Sequence, residues 1–197
     1  MLERSSAIAS GLARGGRQPK ASAGCRLGEV RGWALLQVAG FPASIARIEL
    51  ALAATCGCGV PGQIGRVARA RATMLLRTGP EQIWIIGSGE TLQDEPAIRA
   101  DVAPGMGVLT PLSHSRTRMF VDGPRARDVL AKGFTIDLHS DVFAVDQFAL
   151  TGLDHTPVLL HRAAADRYEI YAMRTFALTV WDWLADAALE WGYEVVT

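Results

Sequence analysis

The chain has 197 residues, of which 49% are hydrophobic and 20% are charged, a composition that supports one substantial core and excludes a disordered protein. Its 20 basic and 20 acidic side chains cancel, so no overall field draws the chain to nucleic acid or to an anionic membrane. No apolar run approaches the ~20 residues that a membrane span requires, and the sequence therefore predicts a soluble protein.

Residues 1–30 are predicted to form an extended N-terminal arm. This stretch is rich in arginine, glycine, serine and alanine, and it lacks the apolar segment of a secretory signal. Such a composition is typical of a segment that becomes ordered only against a partner. A mitochondrial transit peptide, which is also rich in arginine and serine, is the alternative. The remainder, 31–197, is predicted to be a single domain with halves at about 31–105 and 106–197.

The first half predicts the order strand, helix, strand, strand, helix. The apolar run WALLQVA at 33–39 is typical of a buried strand, and the proline that follows suits the start of a helix over 42–55. Two apolar stretches, 74–77 and 83–86, flank a Gly-Pro turn and predict a hairpin whose second strand belongs inside the protein. A modest surface helix is predicted over 90–102.

A loop between the first helix and the hairpin carries Arg66, Arg69 and Arg71. Three arginines so close together can bind a phosphate or a nucleic-acid backbone. The loop offers neither interleaved aromatic residues nor a glycine-rich nest, so we predict a solvated or partner-facing edge instead.

The second half repeats the same pattern and ends with a long helix. The predicted elements are a strand at 116–121, a helix at 124–132, strands at 147–150, 158–162 and 168–173, a helix at 175–191 and a terminal YEVV strand. Two such units in succession favour an α+β fold of two fused ferredoxin-like halves, with antiparallel sheets and helices packed on them.

The last helix combines a core stripe with tryptophans and carboxylates outside it. The stripe recurs at helical spacing and comprises Phe176, Val180, Leu184, Ala187 and Trp191. Trp181 and Trp183 point away from parts of this stripe, and we predict that one of them anchors a protein interface. The carboxylates of Asp182, Asp186 and Glu190 fall on one face of the helix. Such a row is more often solvated than part of an acid–base site, so we predict a solvated row.

No pattern in the sequence predicts catalytic or cofactor-binding residues. A dinucleotide-binding glycine motif, a P-loop, HExxH and GxSxG are all absent. Ser113 and His114 are adjacent, but neighbours on a strand point to opposite faces and cannot readily hydrogen-bond to one another. His114 is therefore predicted to be structural or to lie at an interface. The other histidines are dispersed along the chain: His139, His155 and His161.

The cysteines predict neither a metal site nor a disulfide framework. Cys56 and Cys58 lack a second CxxC or a nearby histidine pair, so no metal ligands are predicted. With Cys25 the count is three, and an odd number of cysteines favours a reducing cytoplasm.

The stretch from Leu112 to Leu138 predicts a strand, a tight Gly-Pro corner, a short amphipathic helix and a loop. Its sequence, LSHSRTRMFVDGPRARDVLAKGFTIDL, resembles a segment of the gamma subunit family of heterotetrameric sarcosine oxidase, a short relative of the aminomethyltransferase (T-protein) of the glycine cleavage system. The matching residues are Ser113, His114, Arg116, Thr117, Gly123, Pro124, Ala126, Leu130, Lys132, Gly133, Asp137 and Leu138. The later pieces VLLHR, YEIYAMRTFA and WDWLADAALEWG agree with the resemblance.

The resemblance covers about residues 33–196 and implies a fold like the first domain of the aminomethyltransferase. It implies a non-catalytic structural subunit of an enzyme that demethylates sarcosine oxidatively to glycine, forms peroxide and transfers a one-carbon unit to tetrahydrofolate. This chain would bind no cofactor alone. FAD, FMN, NAD, tetrahydrofolate and zinc would be held by its partners, the alpha, beta and delta subunits, in a cytoplasmic complex without nucleic acid or membrane.

Two other hypotheses follow from the same resemblance. A stand-alone folate-binding enzyme of the aminomethyltransferase type would need the acidic pair that the family carries in the segment corresponding to 152–162. Here that segment is GLDHTPVLLHR, which has no Asp-Asp pair. A gamma-type subunit of a related N-methyl amine or imino acid oxidase or dehydrogenase would differ in substrate, because the amine pocket lies in another chain.

Overall fold

The computed structural model describes residues 5–16, 23–89 and 91–196, which form two compact units. One unit consists of residues from 1–31 and 114–197, and the other of residues 32–113. The sequence predicts the boundary between the halves near residue 105. The observed division lies at residues 113 and 114 because the strand Gly107–Pro111 pairs with the strand Trp33–Gly40. A strand near the N-terminus pairs with strands of the C-terminal half and so belongs to that unit.

The elements agree with an α+β protein. The strands are β1 Cys25–Glu29, β2 Trp33–Gly40, β3 Val67–Ala70, β4 Thr73–Gly79, β5 Gln82–Ser88, β6 Gly107–Pro111, β7 Arg116–Asp122, β8 Phe148–Leu153, β9 Thr156–Ala164, β10 Arg167–Met173 and β11 Tyr193–Val196. The helices are α1 Ala9–Ala13, α2 Ile45–Cys56, α3 Glu95–Asp101, α4 Ala126–Ala131 and α5 Ala177–Ala188, the last preceded by a 3₁₀ turn over Arg174–Phe176. Within the described residues, no helix combines the length and the apolar character needed to cross a membrane.

The unit of residues 32–113 is built on an antiparallel five-stranded sheet with the order β3-β4-β5-β2-β6. Strand alternation places one set of apolar side chains toward α2 and α3. Val38, Leu75 and Ile85 from the sheet are fully buried with Ile48 and Leu52 from α2. This face forms the core of the unit.

The second unit contains a six-stranded sheet with the order β11-β1-β7-β10-β9-β8. Its strands are antiparallel except for β1 and β11, which run parallel. Leu27, Met119 and Ile170 on one face are fully buried with Val129 of α4 and Leu184 of α5. The predicted fold class, an α+β protein with antiparallel sheets and helices packed on them, is confirmed.

The N-terminal region differs from the predicted extended arm. In the described parts of residues 1–30, α1 packs beside α5 and β1 lies between β7 and β11 in the sheet. Residues 1–4 and 17–22 lie outside the described part of the chain. The strand was missed because Cys25–Glu29 is short and its composition is that of a loop, so only pairing with distant strands stabilises it.

Helix α1 also explains why one tryptophan of α5 does not point outward. Trp181 is only 2% exposed and belongs to the core. Gly11 of α1 lies so close to the indole that an added Cβ would overlap the ring. The sequence predicts that one of two tryptophans anchors an interface; for Trp181 this is wrong, because α1 covers that side of α5. Trp183 is half-buried, and its role at an interface stays a prediction.

Candidate functional site

A group of charged and aromatic side chains is buried in the six-stranded sheet; we call Arg118, His161, Glu169 and Tyr171 the Glu169 cluster. Glu169 is 4% exposed and His161 is fully buried. Arg118 donates from Nε and Nη2 to Glu169 Oε2 at 3.0 and 2.7 Å, and the Tyr171 hydroxyl donates to the same oxygen at 3.2 Å. His161 Nδ1 lies 3.7 Å from Glu169 Oε2.

The register of three strands assembles this cluster. Glu169 on β10 stands directly opposite His161 on β9, and Tyr171 stands opposite Arg118 on β7. Successive side chains on a strand alternate between faces, so Glu169 and Tyr171 lie on the face opposite Ile170, which packs against the helices. The Arg118 guanidinium also lies 5.4 Å from the centroid of the Tyr171 ring.

The environment of Glu169 holds its carboxyl group in the ionised form. Burial by itself raises the pKa of Glu169, but the nearby His161 and the charge and hydrogen bonds of Arg118 outweigh burial and lower the pKa to about 2. A general acid or base works best with a pKa near the working pH. Glu169 is therefore suited to linking strands and poorly suited to proton transfer.

Further charges extend the Glu169 cluster along the sheet. Arg167 Nε lies 3.4 Å from Glu169 Oε1, and its Nη1 lies 3.4 Å from Asp122 Oδ2. His161 Nε2 lies 3.7 Å from Asp146 Oδ1. In the sequence, His161 is one of several dispersed histidines, and no local pattern predicts this arrangement. The available signal was the presence of charged residues inside otherwise apolar strands.

The adjacent Ser113 and His114 do not form a nucleophile–base pair. The Ser113 hydroxyl accepts the Leu35 N–H at 2.9 Å and donates to the Leu35 carbonyl at 3.3 Å, which ties the end of β6 to β2. His114 is exposed. The serine hydroxyl is thus engaged in a backbone contact.

The thiols of Cys56 and Cys58 are free. Burial, and secondarily the charges of Cys58, Asp94 and Asp101, raise the pKa of Cys56 to about 11. Burial also raises the pKa of Cys58. Metal ligands and nucleophiles need the thiolate, and no group of three or more potential metal ligands occurs in the described residues.

Two other charged features lie at the surface. Arg69 is on β3, an edge strand, and not in a loop as predicted; Arg66 and Arg71 flank this strand and are exposed. The carboxylates of Asp182, Asp186 and Glu190 are exposed on α5 and just beyond it, which confirms the predicted solvated row. Asp182 pairs with Arg14, and Glu190 pairs with Lys132.

The stretch 112–138 proves to be a structural corner. Gly123 ends β7 with φ of +123°, a conformation that side chains rarely adopt, and a Cβ there would lie 3.1 Å from the Cys25 Cα. Gly133 lies so close to the Trp183 ring that an added Cβ would overlap it. Lys132 donates to the Ala187 carbonyl at 2.7 Å. The corner therefore attaches α4 to the C-terminal end of α5.

Comparison with known proteins shows which family the chain resembles. A model of the "Sarcosine oxidase, gamma subunit family" matches residues 39–190. The chain belongs to this family. The gamma subunit of sarcosine oxidase from Arthrobacter sp. is 34% identical over 148 residues, which are 74% of this chain and 72% of that protein. The gamma subunit from Corynebacterium sp. (strain U-96) is 31% identical over 141 residues, 71% of this chain and 68% of that protein.

Solved structures agree with the membership of this gamma subunit family. One similar structure is a chain of the heterotetrameric sarcosine oxidase from Corynebacterium sp. U-96 in complex with pyrrole 2-carboxylate, which is 29% identical in sequence. The two structures superimpose with a TM-score of 0.85, and the match covers 95% of this chain and 96% of that chain. The glycine cleavage system aminomethyltransferase T from Bartonella henselae is 18% identical with a TM-score of 0.63, covering 88% of this chain but 48% of that chain. The second likeness shows a shared fold, as expected for the gamma subunit family.

The segment 152–162 forms a hairpin between β8 and β9. Asp154 and His155 make its turn, with Asp154 at φ of +51°, and both are exposed. Of the four residues Thr156–Leu159, which stand roughly where the aminomethyltransferase resemblance expects an acidic pair, three are buried. Apolar residues in a strand cannot supply the acidic contacts expected there.

Lys132 makes a local contribution to stability that can be measured. Its ammonium group donates to the Ala187 carbonyl, lies 2.9 Å from Glu190 Oε2 and lies 4.3 Å from the centroid of the Trp191 ring. We expect Lys132→Met to lower the free energy of unfolding by about 1–2 kcal/mol, because the carbonyl at the end of α5 loses its donor.

Thermal unfolding of the purified chain checks this prediction. Glu190→Gln is the matched control, since the Glu190 side chain is largely exposed and its pair with Lys132 is worth less than about 1 kcal/mol. If both variants unfold like the original chain, Lys132 does not stabilise the end of α5.

Proposed function

We propose that this chain is the non-catalytic structural subunit of a heterotetrameric sarcosine oxidase. One observation carries the proposal: nearly the whole chain superimposes on nearly the whole of one chain of such an enzyme. A chain that shares this fold over 95% of its length is suited to the same place in an assembly. The complex oxidatively demethylates sarcosine to glycine, forms peroxide and transfers a one-carbon unit to tetrahydrofolate.

The chemistry of the complex takes place in the companion chains. FAD, FMN, NAD, tetrahydrofolate and zinc are held by the alpha, beta and delta subunits, and the complex is cytoplasmic. Three features of this chain support such a division of labour: Glu169 is held ionised with a pKa of about 2, Ser113 bonds to backbone, and Cys56 is buried with a raised pKa. None of these groups is poised for catalysis at neutral pH.

The physical task of the chain is to hold the companion chains in a fixed geometry. Obligate interfaces between subunits bury roughly 2,000–5,000 Å². Exposed large apolar side chains of the described residues supply contact surface, among them Phe41, Leu50, Ile64, Val142, Val145, Leu150, Met173, Phe176 and Leu178.

A second candidate is a folate-binding enzyme of the aminomethyltransferase type, favoured by the shared fold. This chain spans about half of that aminomethyltransferase. Its hairpin at 152–162 offers Asp154 as the one carboxylate, at an exposed turn. The subunit hypothesis therefore explains the chain better. A gamma-type subunit of a related N-methyl amine or imino acid oxidase differs only in the substrate of the companion chains.

Purification of the tagged chain from its native host tests the proposal. We expect a yellow, flavin-containing complex that contains three companion chains and oxidises sarcosine. A colourless monomer that binds tetrahydrofolate would support the enzyme of the aminomethyltransferase type and contradict the subunit proposal. A yellow complex that ignores sarcosine but oxidises another N-methyl amine or an imino acid would identify the related oxidase.

A further inference from the structure

Strand β8 is an edge strand that lacks the usual protection against pairing with another strand. The sheet orders place β8 and β11 at the edges of one sheet, and β3 and β6 at the edges of the other. β11 carries Glu194, β3 carries Arg69 and β6 ends at Pro111, and charged residues and proline on an edge discourage further pairing. β8 has the sequence FALTGL, with neither. Among these edge strands, β8 alone is unprotected.

The hydrogen-bond pattern directs part of the β8 backbone away from the sheet. Arg162 on β9 donates its N–H to the Gln147 carbonyl at 2.9 Å. Bonded and non-bonded residues alternate along an antiparallel pair. Ala149 and Thr151 therefore bond to β9, whereas Leu150, between them, points its N–H and C=O outward. This leaves one donor and one acceptor in place for an additional strand.

Apolar side chains accompany this open edge. Leu150 is 58% exposed, although it lies in the middle of a strand. Val142 and Val145, in the loop that leads into β8, are also largely exposed. A bridge between Phe134 and Leu153 covers the far end of the strand. The open part of the edge is thus the first half of β8, next to the two valines.

The chain segment that contains β8 is acidic. The segment 133–161 contains no lysine or arginine, in a chain that has 20 of them among its 197 residues. The same segment contains Asp137, Asp141, Asp146 and Asp154. The side chains of Asp141 and Asp154 are 85% and 64% exposed. A partner that matches this charge carries basic side chains.

We propose that an extended segment of a companion subunit, bearing arginine or lysine side chains, adds to β8 as a further strand of the six-stranded sheet. Main-chain hydrogen bonds at Leu150 provide affinity, and apolar contacts with Leu150 and Val145 and pairing with Asp141 provide specificity. This inference rests on the proposed function and identifies one docking edge of the subunit.

Two variants with equal exposure test the inference. Leu150→Lys places a protecting positive charge on the open edge, and Val108→Lys places the same charge at a residue of β6 that is 57% exposed against 58% for Leu150. The test is co-expression with the companion chains of the host's oxidase. We expect roughly tenfold less complex to be recovered with Leu150→Lys, because the added lysine repels a basic strand and discourages strand pairing at this edge. Val108→Lys is expected to assemble like the original chain.

Hydrogen exchange of the original chain gives a second measurement that needs no substitution. We expect the Leu150 amide to exchange at least roughly tenfold more slowly in the complex than in the isolated chain, since a new strand accepts its hydrogen bond. Normal assembly of Leu150→Lys together with unchanged exchange at Leu150 would overturn the docking edge and leave the proposed function intact. Absence of any companion chain would overturn both. If the isolated chain forms a homodimer and Leu150→Lys dissociates it, the edge binds a second copy of this chain, and the inference is overturned.

Discussion

Replacing Trp181 with alanine is expected to lower the free energy of unfolding by about 3–5 kcal/mol, the usual cost of removing a large aromatic side chain from a core. Trp181 is 2% exposed and packs with the buried residues of α4, α5 and the six-stranded sheet. The adjoining Gly11 of α1 has no side chain with which to fill the space that the indole leaves. Denaturant or thermal unfolding of the isolated chain measures the loss.

Trp183→Ala is the matched control for Trp181→Ala. Trp183 lies two residues further along α5 and is only half-buried, so the substitution is expected to lower the free energy of unfolding by less. A Trp181→Ala chain that unfolds like the original but no longer joins the companion subunits would contradict the core assignment. That result would return Trp181 to the interface role that the helical pattern alone suggests.

Replacing Glu169 with glutamine is expected to lower the free energy of unfolding by about 3–5 kcal/mol, because it removes the negatively charged partner of the buried Arg118. The Arg118 side chain is only 13% exposed and donates two hydrogen bonds to Glu169 Oε2. The double variant Arg118→Met, Glu169→Leu is the control. It removes both charges and is expected to lose less stability than Glu169→Gln alone.

The dependence of stability on pH gives an independent measure of the Glu169 cluster. The folded state lowers the pKa of Glu169 from an ordinary value of 4.5 to about 2. The stabilisation is therefore fully present above about pH 4.5 and is lost as the pH falls toward about 2. Between these values, Glu169→Gln should lose less stability with acid than the original chain does. Parallel acid profiles for the two chains would show that Glu169 does not have a lowered pKa.

Periodic elements of the fold could be predicted because their signals are local. The strand predicted at 116–121 is observed as Arg116–Asp122, and the apolar spacing near the C-terminus corresponds to the observed helix Ala177–Ala188. The short strands β1, β3 and β6 were not predicted. β1 and β6 are stabilised by pairing with strands that are distant in the chain, whereas β3 pairs with β4, which follows directly after it. Helix α1 was also not predicted, since five residues are too few for a helical period to show.

The Glu169 cluster depends on contacts that no local pattern contains. Glu169 and His161 stand opposite each other only because β9 and β10 pair in one particular register, and Arg118 arrives from β7, about fifty residues earlier in the chain. A shift of one residue would turn each side chain to the other face of the sheet. The charged residues are visible in the sequence, but their partners are not.

The sequence by itself determined the family and the α+β class of this protein, because the motif from Leu112 to Leu138 and the strand and helix periods are local patterns of residue type. The tertiary structure decided which motif residues serve the fold: Gly123 permits the turn, Gly133 admits the Trp183 ring and Lys132 binds the end of α5. It also decided that Trp181 is buried and that β8 presents an open edge. Burial and edge position depend on which distant segments lie alongside, and that information arises only when the chain has folded.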